Sequence, residues 1–157
     1  MTDSNSLRDC LNEAYRCLGY RPRSEGEIRQ WLRRRGFSKQ VAEAAITRLR
    51  EQNLTDDLAF AQFWRDDRLS FRPRSKRLIK RELRDRNVSP EIIEQVTDDI
   101  DDDEIAYKLG SARLPSLAHL DYPRFYRRLA SYLGYRGFSY EVIKRTVLLL
   151  WREKEQG

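Results

Sequence analysis

The segment RPRSEGEIRQWLRRRGFSKQVAEAAITRL, residues 21–49, decides the fold because the chain repeats its pattern twice more. The second copy, RPRSKRLIKRELRDRNVSPEIIEQVTDDI, covers residues 72–100, and the third, YPRFYRRLASYLGYRGFSYEVIKRTVLLL, covers residues 122–150. Proline stands second in each copy, and the tetrapeptide RGFS recurs unchanged at 35–38 and 136–139. Agreement in register over this length is the sequence signature of a repeat protein.

Each copy predicts two helices joined by a tight turn. Ser24 stands where a helix N-cap belongs, and Glu27 completes a capping box with it. Gly36 then tolerates the left-handed conformation that ends a helix, and Ser38 can cap the next one. The matching residues elsewhere are Ser75, Asn87 and Ser89 in the second copy, and Gly137 and Ser139 in the third. Phe125 replaces the first serine in the third copy, so that helix needs a different cap.

One more helical stretch precedes each copy. We predict these stretches at 7–19, at 56–71 behind a Thr55 cap, and at 103–114 before the loop PSLAHLD. The last helix of the second copy is expected to reach Ile100. The chain is therefore predicted to be all-α, with three tandem three-helix repeats at residues 1–54, 55–102 and 103–157. Such small units have marginal hydrophobic cores and are stabilised by packing against adjacent units. We therefore expect an elongated, curved array.

Composition limits the location and the partners of the protein. Among 157 residues 36% are charged, and the net charge of +6 makes an anionic partner plausible. We expect no membrane segment and a cytoplasmic location, because no apolar run could span a bilayer and MTDSNSLRDC has no signal-peptide core. Cys10 and Cys17 would lie about 10 Å apart on one helix, too far for a disulfide. We interpret both as small buried residues.

No catalytic motif is visible in the sequence. There is no GxxxxGK[ST] phosphate loop and no Cys/His spacing for a metal. His119 is the only histidine, and no serine or cysteine has an evident partner for nucleophilic catalysis. We therefore predict a protein that is not an enzyme, that uses no cofactor or metal, and that acts by binding another macromolecule.

The basic residues concentrate on the first helix of each of the first two copies, which is the middle helix of its three-helix repeat. Residues 72–86 hold eight cations, whereas residues 87–104 hold eight acids and no cation. Arg77, Arg81 and Arg84 follow the i, i+4, i+7 spacing of one helix face. The candidate partner-binding residues are Arg21, Arg23, Arg33, Arg34, Arg72, Arg74, Lys76, Arg77, Lys80, Arg81 and Arg84. They form either a basic surface for phosphate or acidic protein, or ordinary solvated faces with pairing inside the chain.

The residues alone leave two functions open. The first is DNA binding by helix-turn-helix units, in which the last helix of each unit enters the major groove. In the second copy that helix carries Glu91 and Glu94 and has no lysine or arginine. DNA phosphates would repel these two carboxylates. The aromatic residues interleaved with arginine are compatible with base stacking, although packing is the commoner role at helical spacing. The second function is a regulator that binds another protein.

The chain resembles the bacterial RecX regulatory proteins from about Asp9 to Trp151. The similarity rests on RPRSEGEIRQWLRRRGF near the start, LTDDLAFAQFWRDDRLSFRPRSKRLIKREL in the middle and LGYRGFSYEVIKRTV at the end. The middle motif, an acidic and aromatic helix that runs into a basic Pro-Arg-Ser helix start, is the most specific. The third copy departs from the pattern because YPRFYRRL lacks the serine cap.

The resemblance implies a regulator of the RecA recombinase that takes part in DNA recombination, DNA repair and the SOS response. RecX-like proteins bind lengthwise in the groove of the RecA filament on single-stranded DNA. They usually limit its recombinase, ATPase and co-protease activities, and some also contact DNA weakly. The family supplies no catalytic residues, and its basic positions correspond to the candidate set above only by general character. We expect a monomer.

Overall fold

The fold consists of nine α-helices without a strand in residues 3–157, which this computed structural model describes with side chains from Ser6 onward. The helices are α1 Asp3–Tyr20, α2 Glu25–Arg34, α3 Lys39–Glu51, α4 Asp57–Phe71, α5 Lys76–Asp85, α6 Pro90–Thr97, α7 Asp102–Leu117, α8 Tyr122–Tyr135 and α9 Tyr140–Gln156. Three consecutive helices correspond to each sequence repeat. The predicted all-α, three-by-three organisation is confirmed.

Serine side chains begin several of these helices. The Ser24 hydroxyl accepts a hydrogen bond from the Glu27 amide at 3.1 Å, and the Ser24 amide donates to the Glu27 carboxylate at 3.3 Å. This is the predicted capping box. Ser38 and Ser139 cap α3 and α9 in the same way, without the reciprocal glutamate. The serine positions of the repeat therefore fix where its helices start.

The third repeat starts its second helix with an aspartate instead. Asp121 Oδ1 accepts a hydrogen bond from the Arg124 amide at 3.0 Å, and Pro123 lies in the first turn of α8. Phe125, at the position of the missing serine, is fully buried. An apolar ring can stand there because the cap has moved upstream.

The turns after α2, α5 and α8 have the same left-handed geometry. Gly36 and Gly137 have φ values of 90° and 91°, and Asn87 has a φ of 60°. The residue after each of them donates its amide to the carbonyl five positions back, as in the Schellman motif. Glycine and asparagine tolerate this conformation best, so the predicted turn residues are confirmed.

The chain divides into two compact units. The first comprises the chain up to Arg65 together with Glu82–Val96, and the second comprises Asp66–Arg81 together with Thr97–Gly157. The core of the first repeat lies in the first unit and contains Cys10, Ala14, Cys17, Ile28, Leu32, Ala42, Ala45, Ile46 and Leu49. The core of the third repeat lies in the second unit and contains Ala106, Leu117, Phe125, Leu129, Leu133, Phe138, Val142, Ile143, Val147 and Leu150.

In the first unit, the N-terminus of α2 packs against the turn after α5. Ser24 is fully buried, and its hydroxyl donates to the Arg86 carbonyl at 2.7 Å. The first amide of α2, that of Glu25, donates to Asp57 Oδ1 at 2.9 Å. A β-carbon on Gly26 would lie only 2.6 Å from the Asn87 β-carbon, so glycine is required for this close approach.

The second unit repeats this arrangement at the N-terminus of α5. The amide of the fully buried Ser75 donates to the Arg136 carbonyl at 3.0 Å, and Arg136 Nη1 donates to the Pro73 carbonyl at 3.0 Å. The Lys76 amide donates to Asp102 Oδ1 at 2.8 Å. The Pro-Arg-Ser motif is therefore a packing element in both units as well as a helix start.

The predicted start of α1 and the predicted cap of α4 were wrong. α1 begins at Asp3, earlier than expected. Asp56, not Thr55, caps α4, because its carboxylate accepts from the Ala59 amide at 3.1 Å. The Thr55 hydroxyl instead donates to Glu25 at 3.2 Å.

The predicted end of α7 was also wrong. The helix continues through Pro115 to Leu117, so the loop PSLAHLD is shorter than expected. A proline inside a helix removes one main-chain hydrogen bond, here the bond that an amide at position 115 would donate to the Ser111 carbonyl. Burial of Leu117, with 7% of its surface exposed, holds the last turn of α7 against the core.

α6 ends earlier than predicted. It stops at Thr97, and Ile100 lies beyond the helix in a turn where its amide donates to the Thr97 carbonyl at 3.2 Å. Asp98 and Asp99 follow directly, and negative charge is unfavourable at a helix C-terminus. Ile100 is nevertheless buried, with 8% exposed, as its apolar character predicts.

Candidate interaction surface

Helix α5 presents a row of arginines to solvent. Arg77, Arg81 and Arg84 are exposed, whereas Ile79 and Leu83 on the same helix are fully buried. The spacing of these residues therefore separates a basic face from an apolar one, as the sequence predicts. We call Arg77, Arg81 and Arg84 the α5 basic face.

The α5 basic face makes few contacts with other residues in the described part of the chain. Arg77 Nη2 donates to the Gly137 carbonyl at 3.4 Å. Arg81 and Arg84 make no ion pair with another side chain in the described part of the protein. Of the two lysines on this helix, Lys80 has an interaction within the chain, and both are half-buried. The guanidinium groups of Arg81 and Arg84 remain available to an anionic partner.

The first two cations of the candidate set are held inside the protein. Arg21 pairs with Glu27 at 2.5 Å, and its guanidinium lies 5.5 Å from the centre of the Trp64 ring. Arg23 lies 4.0 Å from the same carboxylate and 5.6 Å from the centre of the Trp31 ring. Both side chains are half-buried, so they contribute to packing around the N-terminus of α2.

The next two candidates lie at the end of α2. Arg33 is exposed, and its Nη1 donates to the Phe37 carbonyl at 3.3 Å, across the turn that ends the helix. Arg34 is exposed and has no partner among the described residues. A cation in the last turn also favours the helix dipole.

The remaining candidates, Arg72 and Arg74, line an open cleft in the second unit. The cleft has a volume of about 470 Å³. It is lined by Phe71, Arg72, Arg74, Leu78, Tyr135 and Arg136, which we call the aromatic cleft. Phe71 is 79% exposed and Tyr135 is 89% exposed. Sequence reasoning missed the two rings and Arg136 as site residues, although Arg136 occupies a position that is arginine in every repeat.

Three of the other aromatic rings are covered by the protein's own arginines. Arg35 lies 3.7 Å from the centre of the Trp31 ring, and Arg86 lies 3.7 Å from that of Trp64. Arg113 lies 4.2 Å from the Tyr132 ring centre. Each of these rings is thus engaged in a cation–π contact within the chain. The packing interpretation of these rings agrees with the structure.

The described residues contain no group of three or more His, Cys, Asp or Glu side chains arranged to hold a metal ion. Cys10 and Cys17 are buried free thiols that are not joined in a disulfide. Burial raises the pKa of Cys10 to about 11 and also raises the pKa of Cys17. Both thiols therefore stay protonated at neutral pH, and a thiol in that state is a poor nucleophile.

Among the helices described, none combines the length and the apolar character needed to cross a membrane.

Comparison with known proteins identifies a family along most of the chain. Three family profiles match in order: the first, second and third three-helix domains of RecX, at residues 10–49, 56–96 and 101–147. The Regulatory protein RecX of Prosthecochloris aestuarii (strain DSM 271 / SK 413) is 33% identical over 147 residues, which cover 94% of this chain and 96% of the relative. The Regulatory protein RecX of Amycolatopsis mediterranei (strain U-32) is 32% identical over 134 residues, 81% of this chain and 77% of the relative.

A solved structure has the same fold. The crystal structure of RecX from Lactobacillus salivarius superimposes with a TM-score of 0.78 at 20% identity, covering 94% of this chain and 97% of that one. Sequence profiles, relatives and fold agree along the chain, and the predicted resemblance is confirmed. The chain belongs to the RecX family of regulatory proteins.

Proposed function

We propose that this protein is a non-enzymatic regulator that binds the RecA filament on single-stranded DNA and limits its recombinase, ATPase and co-protease activities. The observation that carries the proposal is the match of all three RecX domains, in order, to a chain whose relatives are named regulatory proteins. We place the protein in the cytoplasm with its DNA partner and expect it to act as a monomer.

The α5 basic face supports this proposal and is our candidate for the main contact. Arg81 and Arg84 are exposed arginines without an internal ion pair among the described residues, so binding does not first require an intramolecular pair to break. A filament of protein on DNA presents repeated anionic groups, and arginine binds carboxylates and phosphates in a bidentate manner. Of the other candidates, we assign Arg33, Arg34, Arg72, Arg74, Lys76 and Lys80 to the same partner, with Arg21 and Arg23 supporting the fold beside them.

Direct reading of duplex DNA by helix-turn-helix units has less support. In that arrangement α6 would enter the major groove. It has only eight residues, PEIIEQVT, and its exposed Glu91 and Glu94 face a polyanion without any cation on the helix. Repulsion from the DNA phosphates disfavours that placement.

The rate of ATP hydrolysis by RecA on single-stranded DNA tests the proposal. Adding this protein should lower the rate progressively, and the inhibition should weaken as the salt concentration rises. Binding to duplex DNA is measured in parallel. An unchanged ATPase rate together with tight, sequence-selective duplex binding would replace this proposal with the DNA-reading one.

A further inference from the structure

The two units build the same three-arginine arrangement but neutralise it differently. In the first unit, Glu27 is the common counter-ion. It pairs with Arg21 at 2.5 Å, lies 3.6 Å from Arg86 and lies 4.0 Å from Arg23. A single carboxylate thus lies among three guanidinium groups and offsets their mutual repulsion.

In the second unit, an apolar residue replaces the glutamate. The repeat places Arg72, Arg74 and Arg136 at the positions of Arg21, Arg23 and Arg86, and it places Leu78 at the position of Glu27. No carboxylate lies within ion-pair distance of Arg72 or Arg136 among the residues that the structure describes. Both side chains line the aromatic cleft, so two of its arginines carry positive charge without a paired carboxylate.

Two exposed rings flank this charge. Phe71 and Tyr135 leave 79% and 89% of their surfaces in solvent, and both line the cleft. The first unit also has an exposed ring, Tyr20, at the position of Phe71, but Asp85 stands at the position of Tyr135. The second unit thus differs from the first in two respects: it has two open rings, and the two arginines beside them lack a carboxylate.

We propose that the aromatic cleft binds a short segment of single-stranded nucleic acid, with a phosphate at Arg72 and Arg136 and bases stacked on Phe71 and Tyr135. Arginine grips phosphate oxygens with two parallel hydrogen bonds. Aromatic side chains beside a cationic groove stack unpaired bases regardless of sequence. An acidic protein segment would satisfy the arginines, but it would leave both rings without a stacking partner.

This inference deepens the proposed function, on which it rests, by giving the DNA component of the filament its own contact. It can be tested without RecA, so its failure and that of the proposed function are distinguishable. The probe is a fluorescently labelled oligothymidylate, and the readout is fluorescence anisotropy of the full-length protein titrated into it. A duplex of equal length serves as the comparison.

The decisive variant is Leu78→Glu, which gives the second unit the counter-ion of the first. Glutamate at this position lies in the first turn of α5, where negative charge is favourable, so the variant should fold. We expect its Kd for the single strand to rise about tenfold or more. Leu78→Gln, of the same size and without charge, should stay within about twofold of the wild type.

The rings are tested separately. Phe71→Ala and Tyr135→Ala should each weaken binding of the single strand by about fivefold or more while changing duplex binding by less than about twofold. Equal affinities of the L78E and L78Q variants for the single strand would overturn the proposal. So would unchanged oligonucleotide binding in L78E together with lost binding to RecA filaments, since that result identifies an acidic protein surface as the occupant.

Discussion

The hydroxyl of Ser24 donates a hydrogen bond to the main-chain carbonyl of Arg86, 62 residues further along the chain, at a distance of 2.7 Å. The same hydroxyl accepts from the Glu27 amide and so caps α2. One buried side chain thus starts a helix and joins it to a turn of the next repeat. Ser24 therefore contributes both a local contact, the helix cap, and a long-range contact, the bond to Arg86.

Replacing Ser24 with alanine should therefore cost more than the loss of an ordinary cap. We expect Ser24→Ala to lower the free energy of unfolding by about 2 to 4 kcal/mol, since it removes a cap and leaves a buried carbonyl without its donor. Ser38→Ala is the matched control, because Ser38 is an exposed cap and should cost only about 1 kcal/mol. Urea unfolding at neutral pH measures both. If both variants lost the same free energy of unfolding, the hydrogen bond to Arg86 would contribute nothing to stability.

Gly26 should respond to alanine with the opposite sign from an ordinary helical glycine. Alanine is normally better than glycine inside a helix by about 1 kcal/mol. At Gly26 the added β-carbon would lie 2.6 Å from the Asn87 β-carbon and 2.9 Å from the Arg86 carbonyl oxygen, so we expect Gly26→Ala to destabilise the protein. Gly19, near the end of α1, has nothing within 4 Å of such a carbon.

Gly19→Ala is thus the control for Gly26→Ala, and it should be neutral or slightly stabilising. The measurement is the thermal midpoint of each variant by circular dichroism. A Gly26→Ala protein as stable as the Gly19→Ala protein would contradict the close approach of α2 to the turn after α5.

Asp57 gives the stability a dependence on pH. Burial raises the pKa of Asp57 above its ordinary 3.8, although the hydrogen bond from the Glu25 amide acts in the other direction. An acid whose pKa is raised by folding favours the folded state most when it is protonated, so its contribution falls as the pH rises. The substitution Asp57→Asn would keep an oxygen acceptor for that amide without the buried charge.

We therefore expect Asp57→Asn to be more stable than the wild type at pH 7, with the difference vanishing below the ordinary pKa of 3.8. Urea unfolding at a series of pH values measures the difference. Asp57→Ala lacks the acceptor and should be less stable throughout, by about 1 to 3 kcal/mol. A loss of stability in Asp57→Asn at pH 7 would show instead that the carboxylate charge favours the start of α2.

The α5 basic face should govern inhibition of RecA without governing the fold. Reversing Arg77, Arg81 and Arg84 together to glutamate should raise the concentration needed for half-maximal ATPase inhibition about tenfold or more. Helical content by circular dichroism should be unchanged, because all three side chains are exposed. The control reverses three exposed cations of the first repeat, Arg8, Lys39 and Arg48. Equal effects of both triple variants would reject a specific role for the α5 basic face.

The features that sequence could predict are those set by neighbouring residues. The capping box of Ser24 and Glu27 and the left-handed turn at Asn87 depend on side chains within a few positions, and both are confirmed. The family could be predicted as well, because its motifs extend along the chain.

The features that sequence could not predict depend on distant packing. Pro115 is typical of a helix end, and only the burial of Leu117 shows why α7 continues past it. The lining of the aromatic cleft could not be predicted from sequence either, because Tyr135 and Arg136 belong to a different repeat from Phe71. The substitution of Leu78 for Glu27 was visible in the aligned repeats. Only the ion pairs of Glu27 in the first unit show that this substitution removes a counter-ion.

The central claim, that this protein is a partner of the RecA filament, is tested most directly by binding. Filaments are assembled on surface-bound single-stranded DNA with a slowly hydrolysed ATP analogue, and association of the protein is recorded by interferometry beside the same DNA without RecA. We predict saturable binding to the filament that is markedly tighter than binding to the bare strand and that weakens as salt rises. Equal affinity for filament and bare DNA, or no binding to the filament at low salt, would contradict the account.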